Sequence, residues 1–497
     1  MPFGTVDEPP TSAATRPSGR FVAVVKRDCP TCVMVGPVLA RMSREIDLIV
    51  LTQDDPDFPE DVRRREHDVD LMRSHALGVE TVPTVYRLDA DGRTVASAVG
   101  WSREAWQRLT GVAELGPDIP DHRPGCGALN VEPGVIDRLR LASGDIRLAA
   151  RTVEVAPDDD PHELAFDRGW SDGLPVVPPT PVRVARMLGG TDRDPQEVLG
   201  AVPPDLVPCT VEKAAINAVM AGCRPEYLPV VLTAVEAALE ERFSMHGLLC
   251  TLHFSGPVVI VNGPISARIG MNWAGNALGQ GNRANATIGR ALQLIIRNVG
   301  GGLPGAIDRA TLGNPGKYTF CFAEDETDPE WESLAVSRGV EPGRSAVTLF
   351  HGEGVRGFTD WGSRTPEELT ASLALALWGV AHPKAARGVS PGAMVVLAPD
   401  HQDIYAAAGW SRRRIEDEIF LAMRRPAHEV ARGVGGIPTG VDPALGDTLV
   451  DKMPRENFLL VRAGGRGGLH SAIVGGWTGQ RDPEQVRVVT RALDDPT

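Results

Sequence analysis

The chain has 497 residues, of which 42% are hydrophobic and 23% charged, so it contains enough apolar side chains for several buried domain cores. Its 65 acidic and 51 basic residues give a net charge of −14, which excludes nucleic acid as an expected partner. We recognise neither a secretory leader nor a long uninterrupted apolar run. The sequence therefore predicts a cytoplasmic protein without a membrane anchor.

The N-terminal part of the sequence predicts a disordered tail followed by a small domain. Residues 1–20 are polar and rich in Pro, Ser and Thr, a composition typical of disorder. Hydrophobic patterning then predicts strands at 21–26, 48–51, 84–88 and 94–99 and helices at 33–43, 69–76 and 102–109. We assign residues 20–112 to this first domain.

A Cys29-Pro30-Thr31-Cys32 motif lies between the first strand and the first helix. A helix N-terminus lowers the pKa of a cysteine placed there, so Cys29, at the exposed helix end, is the expected nucleophile. Cys32, one turn inside the helix, is expected to resolve the mixed disulfide. Half of a zinc site is the alternative, but no second CxxC or CxxH lies nearby, and we predict neither a metal nor another cofactor.

A second motif, Val82-Pro83-Thr84, precedes the predicted hairpin. Strand, CxxC, helix and then Val-Pro-Thr before a hairpin resembles the thioredoxin family over about residues 20–112. The resemblance implies disulfide exchange, a cis Pro83 beside the CxxC, and backbone groups of Val82 that bind an extended thiol substrate. Asp28 stands where the family usually has Trp, which leaves the redox potential and the natural partner open.

The remaining sequence predicts a linker and a larger domain. Residues 113–165 are rich in Pro, Gly and Asp and are interpreted as a linker that packs on its neighbours. From 166 to 497, helices are predicted at 182–189, 211–221, 226–241, 285–298, 366–380 and 411–424, and strands at 256–262, 317–323, 345–350, 393–398 and 457–463. The sequence therefore predicts an α/β protein, a thioredoxin-like domain followed by a large α/β domain.

The large domain is similar to a bacterial family associated with small proteins that carry a UGSC selenocysteine or cysteine motif. Four segments carry this resemblance, at residues 172–180, 210–227, 283–290 and 315–318. The resemblance implies a small UGSC-type protein as a possible partner, and it implies no particular reaction.

Two glycine-rich loops in the large domain are predicted to bind a substrate. The first, residues 275–283, leads into a helix, so free N–H groups and the arginine can bind an anion; its predicted binding residues are Gly279, Gly281, Arg283 and Asn285. The second follows the strand at 457–463, at the strand end where α/β sheets bind ligands; it includes Gly464, Gly465, Gly467, Gly468, His470 and Ser471. We assign a catalytic role to His470 and substrate binding to the others. A flexible turn and a plain strand-to-helix connection are the respective alternatives.

The remaining histidines and cysteines give weaker signals. On a helix, His246, Cys250 and His253 share a face that suits a soft metal, but the composition favours strand or loop, and both histidines are assigned to substrate binding as an acid or base. Cys209 is assigned a catalytic role because it precedes a predicted helix. Cys126, in the linker, is able to reach the CxxC but is interpreted as an idle exposed thiol, and Cys250 as a buried one.

These features together predict a thiol-dependent redox enzyme. Its CxxC domain supplies electrons or a thiol to the large domain, which acts on a small, anionic, sulfur-containing or otherwise reducible substrate. The first alternative is a lyase or transferase of sulfur chemistry whose first domain only recruits a partner. The second is a non-enzymatic, redox-controlled scaffold for a small UGSC-type protein. The oligomeric state is left open.

Overall fold

The computed structural model describes residues 19–386, 391–477 and 488–494. The chain divides after Arg147 into two compact units, called unit 1 and unit 2 here, and the division falls inside the predicted linker. Both units combine helices with β-sheets, so the prediction of an α/β protein is confirmed. The tail predicted at residues 1–20 lies outside the described residues except for its last two. No helix in the described ranges is long and apolar enough to cross a membrane.

Unit 1 contains nine strands and four helices in its described part. The helices are α1 (Pro30–Glu45), α2 (Met72–Ala76), α3 (Arg103–Thr110) and α4 (Val135–Ser143). The strands are β1 (Arg20–Val25), β2 (Leu48–Thr52), β3 (Arg65–His67), β4 (Thr81–Val82), β5 (Thr84–Leu88), β6 (Thr94–Val99), β7 (Trp101–Ser102), β8 (His122–Arg123) and β9 (Cys126–Gly127).

A five-stranded mixed sheet forms the centre of unit 1, in the order β3-β2-β1-β5-β6. Strand β1 runs parallel to β2 and antiparallel to β5, and its five residues after Arg20 are all buried, as a continuous apolar run in a central strand predicts. The fully buried rings of Trp101 and Trp106 meet edge to face and belong to the same core. The sheet places the end of β1, and therefore the CxxC, next to the start of β5.

Unit 2 contains twelve described helices and twelve described strands. The helices are α5 (Pro161–Asp167), α6 (Pro181–Leu188), α7 (Val211–Ala221), α8 (Leu228–Leu239), α9 (Met245–Cys250), α10 (Pro264–Arg268), α11 (Arg283–Asn298), α12 (Leu334–Ser337), α13 (Pro366–Leu377), α14 (Pro399–Ala407), α15 (Arg412–Ala422) and α16 (Ala427–Val430). The strands are β10 (Val198–Val202), β11 (Val207–Thr210), β12 (Gly256–Asn262), β13 (Cys321–Ala323), β14 (Ala346–Gly352), β15 (Val355–Thr359), β16 (Pro391–Leu397), β17 (Arg425–Pro426), β18 (Leu449–Val450), β19 (Phe458–Arg462), β20 (His470–Trp477) and β21 (Val489–Ala492).

Two four-stranded sheets form the centre of unit 2, in the orders β13-β12-β14-β21 and β15-β20-β16-β19. One apolar cluster joins their facing sides, including Phe322 and Phe350 of the first sheet and Met394 and Val461 of the second. The outer face of the second sheet packs on α13, α14 and α15, and helices α8 and α11 pack on the first sheet. Unit 2 is therefore a four-layered sandwich of helices, two sheets and helices.

Most predicted elements are present within a few residues of their expected ends, but one predicted strand is shorter than expected and the alternative of a strand-to-helix connection after β19 was wrong. The strand predicted at 317–323 covers only Cys321–Ala323, because the Asn314 side chain accepts from the Gly316 N–H and closes a 3₁₀ turn at Pro315–Lys317. The loop after β19 leads into strand β20 rather than into a helix. Strand β20 runs antiparallel to β16, and β16 runs parallel to β19. The loop therefore lies at the carboxyl ends of β16 and β19.

Candidate functional site

The thiol site of unit 1 lies at the N-terminus of α1. Cys29 is the N-cap residue of this helix, and its sulfur accepts the backbone N–H of Cys32 at 3.4 Å. Helix α1 starts at Pro30, three residues before the predicted start, because the Cys29 cap and a proline at the first helical position suit a helix N-terminus. The Cys29 sulfur also lies 3.4 Å from the Val82 carbonyl oxygen.

The two cysteines of the motif have opposite acidities. Hydrogen bonding from the Cys32 thiol, from Cys126 and from backbone N–H groups outweighs burial and lowers the pKa of Cys29 to about 5. Burial, together with the hydrogen bond to Cys29, raises the pKa of Cys32 far above its usual value. At neutral pH Cys29 is therefore the thiolate and Cys32 the proton donor, which are the states that the two assigned roles require.

The environment of the motif corrects two expectations. Cys29 is only 1% exposed, so it does not lie at an exposed helix end. Cys126 is half-buried rather than exposed, and it is the ladder partner of Val82 beside Cys29. The Val82–Pro83 peptide bond is cis, and Pro83 separates β4 from β5 beside the motif. The sequence signal for Cys126 was weak, because its neighbours show no periodicity that predicts a strand.

A pocket of about 530 Å³ in unit 2 is lined by the two glycine-rich loops. Residues 275–279 form one side and residues 463–468 the other, with His470 and Ser471 at the start of β20. The second loop is bonded to the segment just before the first, since the Gly464 N–H donates to the Trp273 carbonyl at 2.8 Å. Of the predicted binding residues, the pocket includes Gly279, Gly464, Gly465, Gly467, Gly468, His470 and Ser471. This size is typical of a small-molecule site.

A serine and a histidine form a hydrogen-bonded pair at this pocket. The Ser471 hydroxyl lies 2.8 Å from Nδ1 of His401, and Nε2 of His401 lies 3.2 Å from the Asp360 carbonyl oxygen. A carbonyl only accepts, so Nε2 carries the proton and Nδ1 accepts from Ser471. Burial lowers the pKa of His401, which keeps the ring neutral and able to take a proton. The pair can therefore activate the Ser471 hydroxyl as a nucleophile.

Sequence reasoning missed His401. The residue follows strand β16 at the carboxyl edge of the sheet, seventy positions before its partner Ser471. A histidine in the first turn of the helix that follows a buried strand was the available signal, because that edge of an α/β sheet is where ligands bind. His470, the predicted catalytic histidine, is exposed at the same pocket and contacts Thr359 Oγ1 through Nδ1 at 2.9 Å.

The second glycine loop already holds an anion, which is the carboxylate of Asp400. The N–H groups of Gly467 and Gly468 donate to Asp400 Oδ2 at 3.0 and 2.9 Å, and these bonds lower the pKa of Asp400. Arg466 pairs with Asp403 and lies 3.6 Å from Asp400. The arginine of this loop is thus paired with the Asp403 carboxylate, and two of its backbone N–H groups are hydrogen-bonded to the Asp400 carboxylate.

The residues predicted at the first glycine loop divide between two places. Asn285 is buried and fastens the loop to α11, because its side chain accepts the Asn272 N–H and donates to the Asn272 and Ala277 carbonyls. Arg283 starts α11 but directs its Nε to the Gly222 carbonyl at 2.9 Å and does not line the pocket. Gly281 adopts a positive φ of 112° just before the helix and also lies outside the pocket lining.

The other predicted site residues are not at this pocket. His246 is exposed on α9, which ends at Cys250, and His253 lies beyond the helix, 3.0 Å from Glu353. Cys250 is exposed rather than buried. Cys209 is buried, and burial raises its pKa to about 12, because desolvation outweighs the effect of the following helix end.

No group of His, Cys, Asp and Glu side chains within the described residues is arranged to hold a metal ion. All seven cysteines are described, and each is a free thiol. In comparisons with known proteins, the chain matches no family model and no curated protein.

Proposed function

We propose that the protein is a thiol–disulfide exchange enzyme in which Cys29 attacks, Cys32 resolves, and unit 2 binds a small molecule at the glycine-loop pocket. One observation carries the proposal, the Cys29 sulfur that caps α1 and accepts hydrogen bonds from the Cys32 thiol and backbone. The order of the unit 1 sheet and the place of Val82 beside Cys29 agree with the thioredoxin resemblance.

The exchange requires no group beyond the thiols and a substrate disulfide. The Cys29 thiolate attacks one substrate sulfur, the substrate S–S bond breaks, and the first substrate thiolate leaves and takes up a proton. Cys32 then loses its proton and attacks the Cys29 sulfur, which releases the second substrate thiol. Two protein thiols become one disulfide and one substrate disulfide becomes two thiols, so a dithiol reductant must restore the starting state.

The proposal gives unit 2 the role of binding the small molecule whose chemistry needs the thiols. Covalent fusion raises the effective concentration of the CxxC for such a reaction. The pocket volume of about 530 Å³ and the Ser471–His401 pair are the features of unit 2 that favour a reactive small-molecule site. Because the Asp400 carboxylate already accepts the N–H group of Gly467 in the second loop, the pocket favours a polar substrate over a simple anion.

Disulfide reduction by the full-length chain, with dithiothreitol as reductant, tests the exchange reaction. We expect turnover of glutathione disulfide by the native chain, its loss in Cys29→Ser, and its retention in the Cys250→Ser control, because Cys250 is exposed and belongs to unit 2. Equal turnover by the native chain and Cys29→Ser would remove the proposal.

A second candidate function rests on the Ser471–His401 pair, which suits acyl or group transfer without thiols. A fluorophosphonate probe, which modifies activated serines, tests it directly. Labelling of Ser471 in the native chain and its loss in His401→Ala are the expected results for this candidate. An unlabelled Ser471 would contradict it and leave the thiol chemistry unaffected.

A further inference from the structure

A segment of the same unit, residues 122–127, contacts the residues on both sides of Cys29, and we call it the strap. The strap is held at both ends by two-residue ladders, in which β8 pairs antiparallel with β7 and β9 pairs antiparallel with β4. Between the ladders, the Thr31 hydroxyl donates to the Pro124 carbonyl at 2.7 Å. The strap therefore runs over the first turn of α1.

The strap places one particular residue beside the thiol site. In the β4–β9 ladder, Cys126 is the direct partner of Val82, whose carbonyl oxygen lies 3.4 Å from the Cys29 sulfur. The Cys126 thiol is also one of the groups that lower the pKa of Cys29. An extended segment paired antiparallel to Val82, with a thiol beside the nucleophile, has the arrangement that an extended thiol substrate would take.

The three cysteines of the thiol site differ in their exposure to solvent. Cys29 is 1% exposed and Cys32 fully buried, whereas Cys126 is only half-buried. An external thiol or disulfide therefore meets Cys126 before it meets Cys29 while the strap is in place.

We infer that Cys126 is an internal exchange partner of Cys29, so that the chain forms a Cys29–Cys126 disulfide in addition to the Cys29–Cys32 disulfide. This inference rests on the proposed thiol exchange and adds a third reacting residue to it. Glutathione disulfide can oxidise this pair in two steps. First, the thiol of Cys29 or of Cys126 forms a mixed disulfide with one half of the reagent and releases the other half as glutathione. The other thiol then loses its proton, attacks the bound protein sulfur and releases the second glutathione.

In the oxidised chain the same contact permits an exchange without any external reagent. Cys126 loses its proton and its sulfur bonds to Cys29 as the Cys29–Cys32 bond breaks, and Cys32 receives the electron pair and takes up a proton. One disulfide is lost and one is gained, so no net oxidation occurs. The disulfide thereby gains one sulfur, that of Cys126, which is only half-buried.

A Cys32→Ser chain treated with glutathione disulfide and mapped by mass spectrometry tests the inference. We expect a Cys29–Cys126 disulfide with little retained glutathione, both in Cys32→Ser and in the control Cys32→Ser/Cys250→Ser. In Cys32→Ser/Cys126→Ser we expect a persistent glutathione adduct on Cys29. An adduct that persists on Cys29 in Cys32→Ser itself, with Cys126 unmodified, overturns the inference but leaves Cys29 as the nucleophile. An unmodified Cys29 in all three variants overturns both proposals.

Two glycines of the strap region provide a matched test that leaves all three thiols in place. A Cβ added at Gly125 would contact the Thr81 side chain and lie 2.5 Å from the Val82 carbonyl oxygen, whereas one added at Gly127 meets nothing within 4 Å. In the Cys32→Ser chain we expect Gly125→Ala to displace the strap, lower the yield of the Cys29–Cys126 disulfide and speed alkylation of Cys29 about tenfold. Gly127→Ala should change neither. Equal behaviour of the two variants would show that the strap does not present Cys126 to Cys29.

Discussion

Cys29 carries the negative charge of the thiol site because two neighbouring thiols keep their protons. Cys32 and Cys126 both donate to its sulfur, and the pKa of each is raised by that bond and by burial. The backbone N–H of Cys32 adds to the same stabilisation. The acidity of Cys29 is thus a property of three cysteines, two from the motif and one from a distant part of the chain.

The acidity of Cys29 predicts the pH dependence of its alkylation. The thiolate reacts and the thiol does not, so the rate with iodoacetamide should rise through about pH 5 and then level off, since the pKa is lowered from 9.0 to about 5. Restricted access of the reagent to the Cys29 sulfur, which is 1% exposed, should slow the reaction at every pH. In Cys32→Ala the side-chain hydrogen bond that lowers the pKa of Cys29 most is lost, so the midpoint should move upward.

Peptide mapping of the labelled chain provides the internal control. Cys209 is buried and its pKa is raised to about 12, so it should remain unlabelled across the same pH range. A Cys29 midpoint above about pH 8 would show that the site does not stabilise a thiolate.

A buried ion pair in unit 2 gives a prediction for stability. The side chains of Arg412 and Glu324 are fully buried and lie 3.0 Å apart, and Glu324 also accepts from Trp331 Nε1 and the Leu334 N–H. Arg412→Leu leaves the carboxylate buried without its cation, so we expect a loss of about 3–5 kcal/mol in the free energy of unfolding. Urea denaturation measures this loss.

The neighbouring arginine is the matched control for that experiment. The Arg413 side chain is 86% exposed, so Arg413→Leu should change stability by no more than about 0.5 kcal/mol. Similar effects of the two substitutions would contradict the importance of the buried pair.

At the scale of elements, short and irregular segments build both sites on regular frameworks. The pocket loop after β19 is held by a carboxylate at the start of α14, because Asp400 receives two N–H groups of the loop. The strap is held by ladders of two residues each. In both cases a few hydrogen bonds determine where a loop lies, while the sheets provide fixed positions for its ends.

The Asp400 contact predicts that an anion site can be uncovered. Asp400→Ala should free the N–H groups of Gly467 and Gly468, and phosphate should then raise the melting temperature of the variant but not of the native chain. Thermal melts over a phosphate series, at constant ionic strength, measure the effect. Asp403→Asn is the control, because Asp403 contacts Arg466 but accepts neither N–H group. A phosphate response in the native chain would contradict the view that Asp400 occupies the loop.

At the scale of the whole molecule, each hydrophobic cluster described above lies within one of the two units. The apolar cluster around β1 and α1 contains residues of unit 1 alone, and the clusters around the two sheets of unit 2 contain residues of unit 2 alone. Each unit therefore buries its own apolar surface, which is the requirement for independent folding.

Separate expression of residues 1–147 and 148–497 tests this independence. We expect each fragment to unfold cooperatively on heating, followed by circular dichroism, and the first to keep the Cys29 alkylation midpoint of the full chain. The second fragment, assayed without a reductant, also shows whether its chemistry needs thiols. A fragment without a cooperative transition would contradict the prediction.

The sequence by itself determined the long elements and the position of the CxxC motif at the start of a helix. Helix α7 and strand β12 have the predicted ends because an apolar periodicity over one turn or one strand is a local property. The position of Cys29 at a helix N-terminus is also local, since strand, CxxC and helix follow one another directly. The two glycine loops were recognised for the same reason, from composition and from the element that flanks each of them.

The tertiary structure decided which of these residues meet. Ser471 contacts His401, and Cys126 lies beside Cys29, through strand pairings and loop contacts between positions far apart in the chain. No local sequence pattern encodes such partners. The same holds for Arg283, whose side chain binds the Gly222 carbonyl instead of the pocket, and for Cys209, whose burial overrides its helix end. Local periodicity specifies which face of an element is buried, whereas side-chain partners and acidity depend on what that face packs against, and only the assembled core supplies that information.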